Sequence, residues 1–197
     1  YGVTRVDTLE EMMDTLQAFD SMVLPKGNNV FILTQAGGPG IYCTDAVSTR
    51  KNIVMPKVQE NTKNKLLEIL PPMSSVCRPE GYVDITAAAN VDQHIDSLKI
   101  IMDDENVDGV IFITVVPTFL PRQELAQKLI KLLKTDGYAK KKPVYVCIMA
   151  GNYVWGCRKE LEKNGIYTFA APDHVAKTVS NVIRYIKYQK KVKERSR

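Results

Sequence analysis

The amino-acid sequence predicts a three-layer α/β domain, in which a parallel β-sheet lies between two layers of helices. Three observations support this prediction. Short unbroken apolar runs, typical of strands that are buried on both faces, recur along the 197 residues. Segments with apolar residues at helical spacing separate these runs. Most of these segments are about ten residues or longer, as right-handed crossovers between parallel strands require.

The first predicted element is a helix at about 8–20. Its start, Thr8-Leu9-Glu10-Glu11, has the sequence of a capping box. Apolar residues then repeat at the spacing of one helical face, at Leu9, Met12, Met13 and Leu16. Leu24-Pro25-Lys26-Gly27 breaks the pattern. We therefore interpret residues 1–26 as an adaptor helix and linker, and because the chain begins at Tyr1 rather than Met, we expect a missing upstream domain before it.

The compact domain is predicted at 27–190 and alternates strand and helix. Strands are expected at 29–34, at 52–56 as a weak strand, and at 82–86, 109–116, 144–149 and 166–170. Helices are expected at 41–48, before Pro71, at 91–103, from Pro121, at 153–164 and at 172–190. This order predicts a flavodoxin-like sheet of five or six strands. Residues 191–197 would follow as a basic tail.

The net charge of +5 does not indicate a nucleic-acid partner. Residues 187–197 hold six Lys or Arg and one Glu, so the rest of the chain is neutral overall. A basic end to a last helix is favoured by the helix dipole and is usually solvated. The sequence contains no apolar run of the roughly 18 residues that a membrane span needs, and we expect no membrane partner.

The cysteines are expected to be reduced thiols of a cytoplasmic protein. Cys43, Cys77, Cys147 and Cys157 lie far apart and form no C-x-x-C pair. This spacing argues against both a disulfide framework and a zinc site.

The most informative segment is the predicted strand at 30–33, which runs into Gly37-Gly38-Pro39-Gly40. Glycines allow the backbone to approach a ligand closely, and the free N–H groups at the start of a following helix attract anions. The segment lacks both the Gly-Lys-Ser/Thr of a Walker A loop and the G-x-G-x-x-G spacing of a dinucleotide site. Taken alone, it fits anion binding and a purely structural turn alike.

In a parallel sheet of this kind the ligand lies beyond the carboxyl ends of the strands. The loops there are predicted at 35–40, 86–90, 114–121, 150–153 and 171–174. Asp45 and Asp84 are the carboxylates nearest to strand ends. Asp84 either bonds to the N–H groups of a helix start or positions a ligand or Mg2+.

No catalytic residue is evident within the chain. His94 is expected on the solvated side of its helix, and His174 on the surface at the rim of the predicted crevice. Cys43 should point at the sheet. No serine–histidine–acid set, metal cluster or stacked aromatic patch is recognisable from motifs. The residues alone therefore predict an anion-binding α/β domain with no obvious catalytic base.

Several segments also match motifs of one family. Residues 6–14 resemble its adaptor helix, V-x-T-x-E-E-L-x-D, and residues 24–28 its lead-in, L-P-x-G-x-R. Residues 34–40 with Asp45-Ala46 match T-N-A-G-G-P-G followed by D-A, and weaker matches follow at 82–86, 107–110 and 142–144. In this order the segments resemble the C-terminal flavodoxin-like domain of the alpha region of ADP-forming acyl-CoA synthetases, which are related to succinyl-CoA synthetase.

This resemblance implies an acid–thiol ligase that interconverts acyl-CoA, ADP and phosphate with the free acid, CoA and ATP. The reaction would pass through an acyl phosphate and a phosphohistidine held between helix N-termini. Phosphate-binding residues would be Gly37, Gly38, Gly40, Thr114 and Thr118, with Asp84 in a positioning role. The full enzyme would use ATP or ADP, CoA and Mg2+, would include CoA-binding and ATP-grasp domains as partners, and would be an oligomer.

The departures from the family pattern matter as well. The family's histidine motif, S-H-T-G-S, would lie upstream of Tyr1, and neither His94 nor His174 sits in such a motif. The fragment alone is therefore expected to be inactive. Gly81-Tyr82 replaces the family's N-P before V-D, which affects the expected contact of Asp84. Two alternatives remain: a non-catalytic docking or regulatory module of the same fold, and a flavin electron carrier, for which the chain offers one Trp, Trp155.

Overall fold

The structure is a computed structural model that describes residues 2–195. Its strands form a single six-stranded sheet: β1 Val30–Thr34, β2 Ser75–Val76, β3 Tyr82–Asp84, β4 Gly109–Thr114, β5 Val144–Ile148 and β6 Thr168–Phe169. Their order is β2-β3-β1-β4-β5-β6. Neighbouring strands pair in parallel except β2, which runs antiparallel to β3. In the central register, Ile32 lies between Tyr82 of β3 and Ile111 of β4.

The described part of the chain contains seven α-helices, of which α1 precedes the first strand and α7 follows the last. They are α1 Leu9–Ser21, α2 Gly37–Ser48, α3 Glu60–Ile69, α4 Val91–Met102, α5 Arg122–Ile130, α6 Trp155–Lys163 and α7 Pro172–Arg195. A five-residue π-helical turn, Lys131–Thr135, extends α5. Short 3-10 turns lie at Tyr138–Lys140 and Gly151–Val154.

The sheet separates two apolar clusters, as a three-layer fold requires. Alternate residues of β1 point to opposite sides: Phe31 and Leu33 pack with α3, α4, α5 and α6. Val30 and Ile32 pack with α1, α2 and α7. Every residue of β1, β4 and β5 is buried. The flavodoxin-like prediction of a parallel sheet covered on both faces is therefore confirmed.

Four details differ from the prediction. Residues 52–56 form no strand, and only an isolated bridge joins Val54 to Asn29. The short edge strand β2 was not expected. Helix α2 begins at Gly37 rather than beyond the glycines, so the glycines form its first turn. Helix α7 continues to Arg195, past the predicted start of the basic tail; residues 196–197 of that tail, like Tyr1, lie outside the described residues.

A search of residues 2–195 for a helix with the length and apolar character of a membrane span finds none.

Candidate functional site

The carboxyl ends of β1 and β4 form the point where the chain changes sides of the sheet. These two strands are neighbours, and Thr34 pairs with Ile113 near their ends. Helix α2, which follows β1, packs on one face, whereas α5, which follows β4, packs on the other. The two connections therefore diverge and leave a crevice between them, which is where open α/β sheets bind ligands.

Gln35 joins the two loops at this crevice. Its main-chain N–H donates to Ile113 O at 3.0 Å. Its Oε1 accepts bonds from Thr114 Oγ1 and from Val115 N, each at 3.3 Å. Because Gln35 and Thr114 are fully buried, these bonds hold the end of β1 rigidly against the end of β4. The Thr114 hydroxyl also accepts from Val116 N at 3.2 Å, so it is engaged within the protein.

The start of α2 presents unpaired N–H groups at the crevice. The N-cap residue, Ala36, makes no side-chain bond to the helix. Pro39 has no N–H, and Gly40 N already donates to Ala36 O at 3.1 Å. Within residues 2–195, the N–H groups of Gly37 and Gly38 have no acceptor. A Cβ atom built on Gly38 would meet no atom within 4 Å, so there is open space where a side chain at this position would point.

Asp84 lies beside this helix start. Its Oδ1 accepts from Thr86 N at 2.8 Å, which fixes the carboxylate at the end of β3. Its Oδ2 lies 3.0 Å from the position that a Cβ of Gly37 would occupy. The carboxylate also contributes, after burial, to raising the pKa of Tyr82 to about 12. Asp84 thus places a negative charge close to the donors of α2 without bonding to them.

The backbone is strained at the same edge of the sheet. Thr86, Val116 and Ala150 have φ values of 64°, 44° and 125°. These residues lie in the loops after β3, β4 and β5. Residues other than glycine rarely adopt such φ values, and backbone strain of this kind clusters at functional sites. Its position agrees with the predicted crevice.

The start of α5 is the second predicted anion grip, but it is less favourable to an anion. Its N-cap, Pro121, makes no side-chain bond, and Glu124 places a negative charge in the first turn. Thr118 is exposed, and its carbonyl accepts from Tyr153 Oη at 3.2 Å. The Arg122 guanidinium lies 4.2 Å from the centre of the Tyr153 ring, which ties the start of α5 to the turn after β5.

A large cavity lies elsewhere, between α7 and the loop after α2, with a volume of about 610 Å3. Several cations line it, and two of them are bonded within the protein. Arg50 donates to Ala46 O at 2.8 Å, and Lys177 pairs with Asp173 at 3.1 Å. Because none of the strained residues Thr86, Val116 and Ala150 lines this cavity, we assign the candidate site to the carboxyl edge.

The prediction that His94 lies on the solvated side of its helix is wrong. Its side chain is fully buried in α4 and packs near the Phe112 ring, 6.2 Å away between ring centres. Its Nδ1 lies 2.7 Å from Asn90 O, which can only accept, so Nδ1 carries the proton of the neutral ring. Its Nε2 has no partner among the described residues. Burial lowers the pKa of His94, although the bond to Asn90 opposes this.

The burial of His94 predicts a pH dependence of stability. The folded protein keeps the ring neutral, whereas the unfolded chain takes up a proton below about pH 6.5. The free energy of unfolding should therefore fall with decreasing pH in that range, by up to about 1.4 kcal/mol per pH unit. His94→Leu should lose this dependence while its main-chain N–H keeps the bond to Asn90 O. Urea unfolding of both proteins at about pH 7 and about pH 5.5 tests this. If the free energy of unfolding changed equally with pH in wild type and in His94→Leu, the prediction would be contradicted.

His174 and Cys43 also lack a catalytic environment. The His174 side chain does not lie free at the rim of the crevice, because it contacts α1. Its Nδ1 lies 3.4 Å from Asp14 Oδ2 and 3.6 Å from Glu10 Oε1. Cys43 points at the sheet as predicted, and burial raises the pKa of its thiol. All four cysteines are buried and unbridged. Residues 2–195 contain no group of three or more His, Cys, Asp or Glu side chains that could hold a metal ion.

Two features of the site were not predicted. The bridging role of Gln35 depends on β1 and β4 being neighbours, which no local pattern reveals. Phe119, Tyr153 and Trp155 are exposed aromatic residues in the segments that follow β4 and β5. Because Phe119 follows β4 whereas Tyr153 and Trp155 follow β5, no single stretch of the sequence shows the three as an aromatic motif.

Comparison with known proteins identifies relatives of this chain. No protein-family model matches it. It is 36% identical over 188 residues to subunit alpha of the ADP-forming acetate–CoA ligase II of Pyrococcus furiosus, an alignment that covers 94% of this chain and 40% of the relative. The chain thus spans well under half the length of the curated relative it matches.

Two solved structures also resemble this chain. A crystal structure of a protein from Pyrococcus horikoshii OT3 has a TM-score of 0.85 and 35% identity, and the match covers 94% of this chain and 42% of that protein. A dinucleotide-forming acetyl-coenzyme A synthetase of Ca. Korarchaeum cryptofilum, in complex with phosphate and ADP, matches 98% of this chain and 40% of its own with a TM-score of 0.85; at 20% identity it shows the fold. This chain is therefore a homologue of the alpha subunits of ADP-forming acetate–CoA ligases, and it matches one region of them.

Proposed function

We propose that this chain is the domain of an ADP-forming acyl-CoA synthetase that supplies one wall of a phosphohistidine site. One observation carries the proposal: within residues 2–195, the N–H groups of Gly37 and Gly38 at the start of α2 have no acceptor. A helix start of this kind carries about half a positive charge and is suited to a phosphoryl group.

The residues of this chain would bind and orient the phosphoryl group rather than transfer protons. Gly37 and Gly38 would donate to its oxygens, and Gly40 allows α2 to lie close to the sheet. Gln35 and Thr114 would keep the two loops in a fixed relation, and Thr118 would contribute from the α5 side. The phosphorylated histidine would come from another part of the enzyme, since His94 is buried and His174 contacts α1.

Asp84 is the residue that would hold Mg2+ at this edge. Magnesium in phosphate sites is usually bound by one or two carboxylates together with phosphate oxygens. Asp84 supplies one carboxylate, fixed by Thr86 N and close to Gly37. The metal would neutralise part of the charge that this carboxylate places beside the phosphoryl group.

Asp84→Asn tests this role in the holoenzyme that contains this chain. The amide oxygen can still accept from Thr86 N, so we expect little change in stability, whereas the Mg2+ concentration for half-maximal phosphohistidine formation should rise about tenfold. Asp45→Asn, an exposed change within α2, is the matched control and should leave this concentration unchanged. An equal response of both variants would remove Asp84 from the site.

The remaining functions would belong to other parts of the enzyme. We propose CoA-binding and ATP-grasp domains as partners, an oligomeric holoenzyme and a cytoplasmic location. The P. furiosus relative is more than twice as long as its match to this chain, which leaves room for further domains. The overall reaction would convert acyl-CoA, ADP and phosphate into the acid, CoA and ATP.

Transfer of labelled phosphate from ATP tests the proposed function. The holoenzyme should acquire acid-labile, base-stable label, as a phosphohistidine does. Folded holoenzyme that takes up no label would remove the ligase function and favour a docking or regulatory module of the same fold.

A further inference from the structure

The apolar face of helix α1 points to solvent, and a more polar face packs on the domain. The apolar stripe of α1, defined as Leu9, Met12, Met13 and Leu16, faces solvent, with exposed fractions of 72%, 38%, 48% and 55%. The buried residues of the same helix include Asp14 and Thr15, at 6% and 4%. An amphipathic helix on a globular domain normally buries its apolar face.

Polar bonds to the body of the domain hold α1 in this orientation. Tyr167 Oη donates to Asp14 Oδ1 at 2.6 Å. Asn181 Nδ2 donates to Glu11 Oε1 at 2.8 Å and to Thr15 Oγ1 at 3.0 Å. Rolling α1 to bury the stripe would break these bonds and leave buried polar groups unpaired, at a cost of about 1–3 kcal/mol each. The exposure of the stripe is therefore a stable feature of this domain.

The surroundings of the stripe indicate the chemistry of a partner. Val23 and Leu24, just after α1, are also exposed and extend the apolar surface. Helix α1 contains no Lys or Arg, whereas Glu10 and Asp20 are exposed acids on it. Large exposed apolar patches with a polar rim mark interaction sites on soluble proteins. A complementary surface would be apolar at its centre and basic at its rim.

We propose that the apolar stripe of α1 docks onto a second domain of the same enzyme, through an apolar surface rimmed by Lys or Arg. This rests on the proposed function only in that the chain is one domain of a larger enzyme. A relative leaves room for a second domain, because the chain matches 40% of the P. furiosus subunit and the remainder lies outside the match.

Methionine oxidation in the native holoenzyme tests the docking. Met13 of the stripe is 48% exposed in this domain and Met73 is 76% exposed, so without docking they should oxidise at rates within about twofold of each other. With docking, peroxide should convert Met13 to the sulfoxide at least about tenfold more slowly than Met73. Similar rates for Met13 and Met73 in wild-type holoenzyme would overturn the proposal.

A matched pair of variants identifies the contact. Leu16→Glu places a charge in the stripe, and Leu67→Glu places the same charge on α3; the two leucines are 55% and 54% exposed. Leu16→Glu should raise the oxidation rate of Met13 towards that of Met73, whereas Leu67→Glu should not. Protection that persists in Leu16→Glu, or that disappears when dilution dissociates two copies of this chain, would contradict docking onto a second domain. A holoenzyme that shows protection but no phosphohistidine would keep the docking and lose the proposed function.

Discussion

Gly38→Glu should lower phosphohistidine formation in the holoenzyme by about 10- to 100-fold. Gly38 is exposed, and a Cβ there meets no atom within 4 Å, so the new side chain fits without displacing the backbone. Its carboxylate would lie at the positive end of α2, where the helix dipole stabilises it by about 0.3–1 kcal/mol. The variant should therefore fold, but a negative charge would occupy the place of the phosphoryl group.

Gly38→Gln is the matched control, because it has nearly the same shape as the Glu variant without the charge. We expect it to retain phosphohistidine formation within about threefold of wild type. The measurement is the initial rate of label transfer from ATP, with folding of each variant checked by urea unfolding. Equal loss in both variants, or no loss in Gly38→Glu, would show that charge at this helix start does not matter to the reaction.

Gly40→Ala should destabilise the domain by about 1–3 kcal/mol. A Cβ on Gly40 would lie 2.5 Å from Thr34 Cγ2 and 2.6 Å from Tyr82 Oη. These atoms belong to β1 and β3, so α2 can make room only by moving away from the sheet. The expected result is a lower midpoint of urea unfolding with an unchanged dependence on urea concentration.

Gly38→Ala is the control for this prediction. It adds the same methyl group two residues earlier in the same helix, where there is open space. Since Ala favours helix over Gly by up to about 1 kcal/mol, this variant should be neutral or slightly more stable. If Gly40→Ala were as stable as Gly38→Ala, the close packing of α2 on β1 would be wrong.

The central sheet was predictable because its strands carry the signal locally. The runs at 109–116 and 144–149 are apolar and rich in β-branched residues, and they contain the fully buried parallel strands β4 and β5. Residues 52–56 and 75–76 show the limit of such patterns. The first makes only an isolated bridge, and the second is a two-residue strand whose pairing with β3 comes from tertiary contact.

The orientation of α1 could not be predicted from its own pattern. The spacing of Leu9, Met12, Met13 and Leu16 correctly indicates a helix, but not which face packs on the domain. That choice depends on Tyr167 and Asn181, which lie far along the chain. His94 differs, since it shares a helical face with the buried residues Val91, Leu98 and Ile101, and this spacing could have revealed its burial.

The candidate site was predictable in part. The glycine segment and the rule for parallel sheets place Gly37, Gly38 and Asp84 at one edge, and the structure brings them together. The fixed relation between the loops after β1 and β4 depends on Gln35 and on strand order, neither of which is a local property. Gly40, Thr114 and Thr118 lie at this edge as well, and their part in phosphate binding remains a prediction.

The most direct test is a structure of the phosphorylated holoenzyme that contains this chain. We predict that oxygens of the phosphohistidine lie about 2.7–3.2 Å from the main-chain nitrogens of Gly37 and Gly38. A phosphohistidine with no contact to the start of α2 would contradict the account.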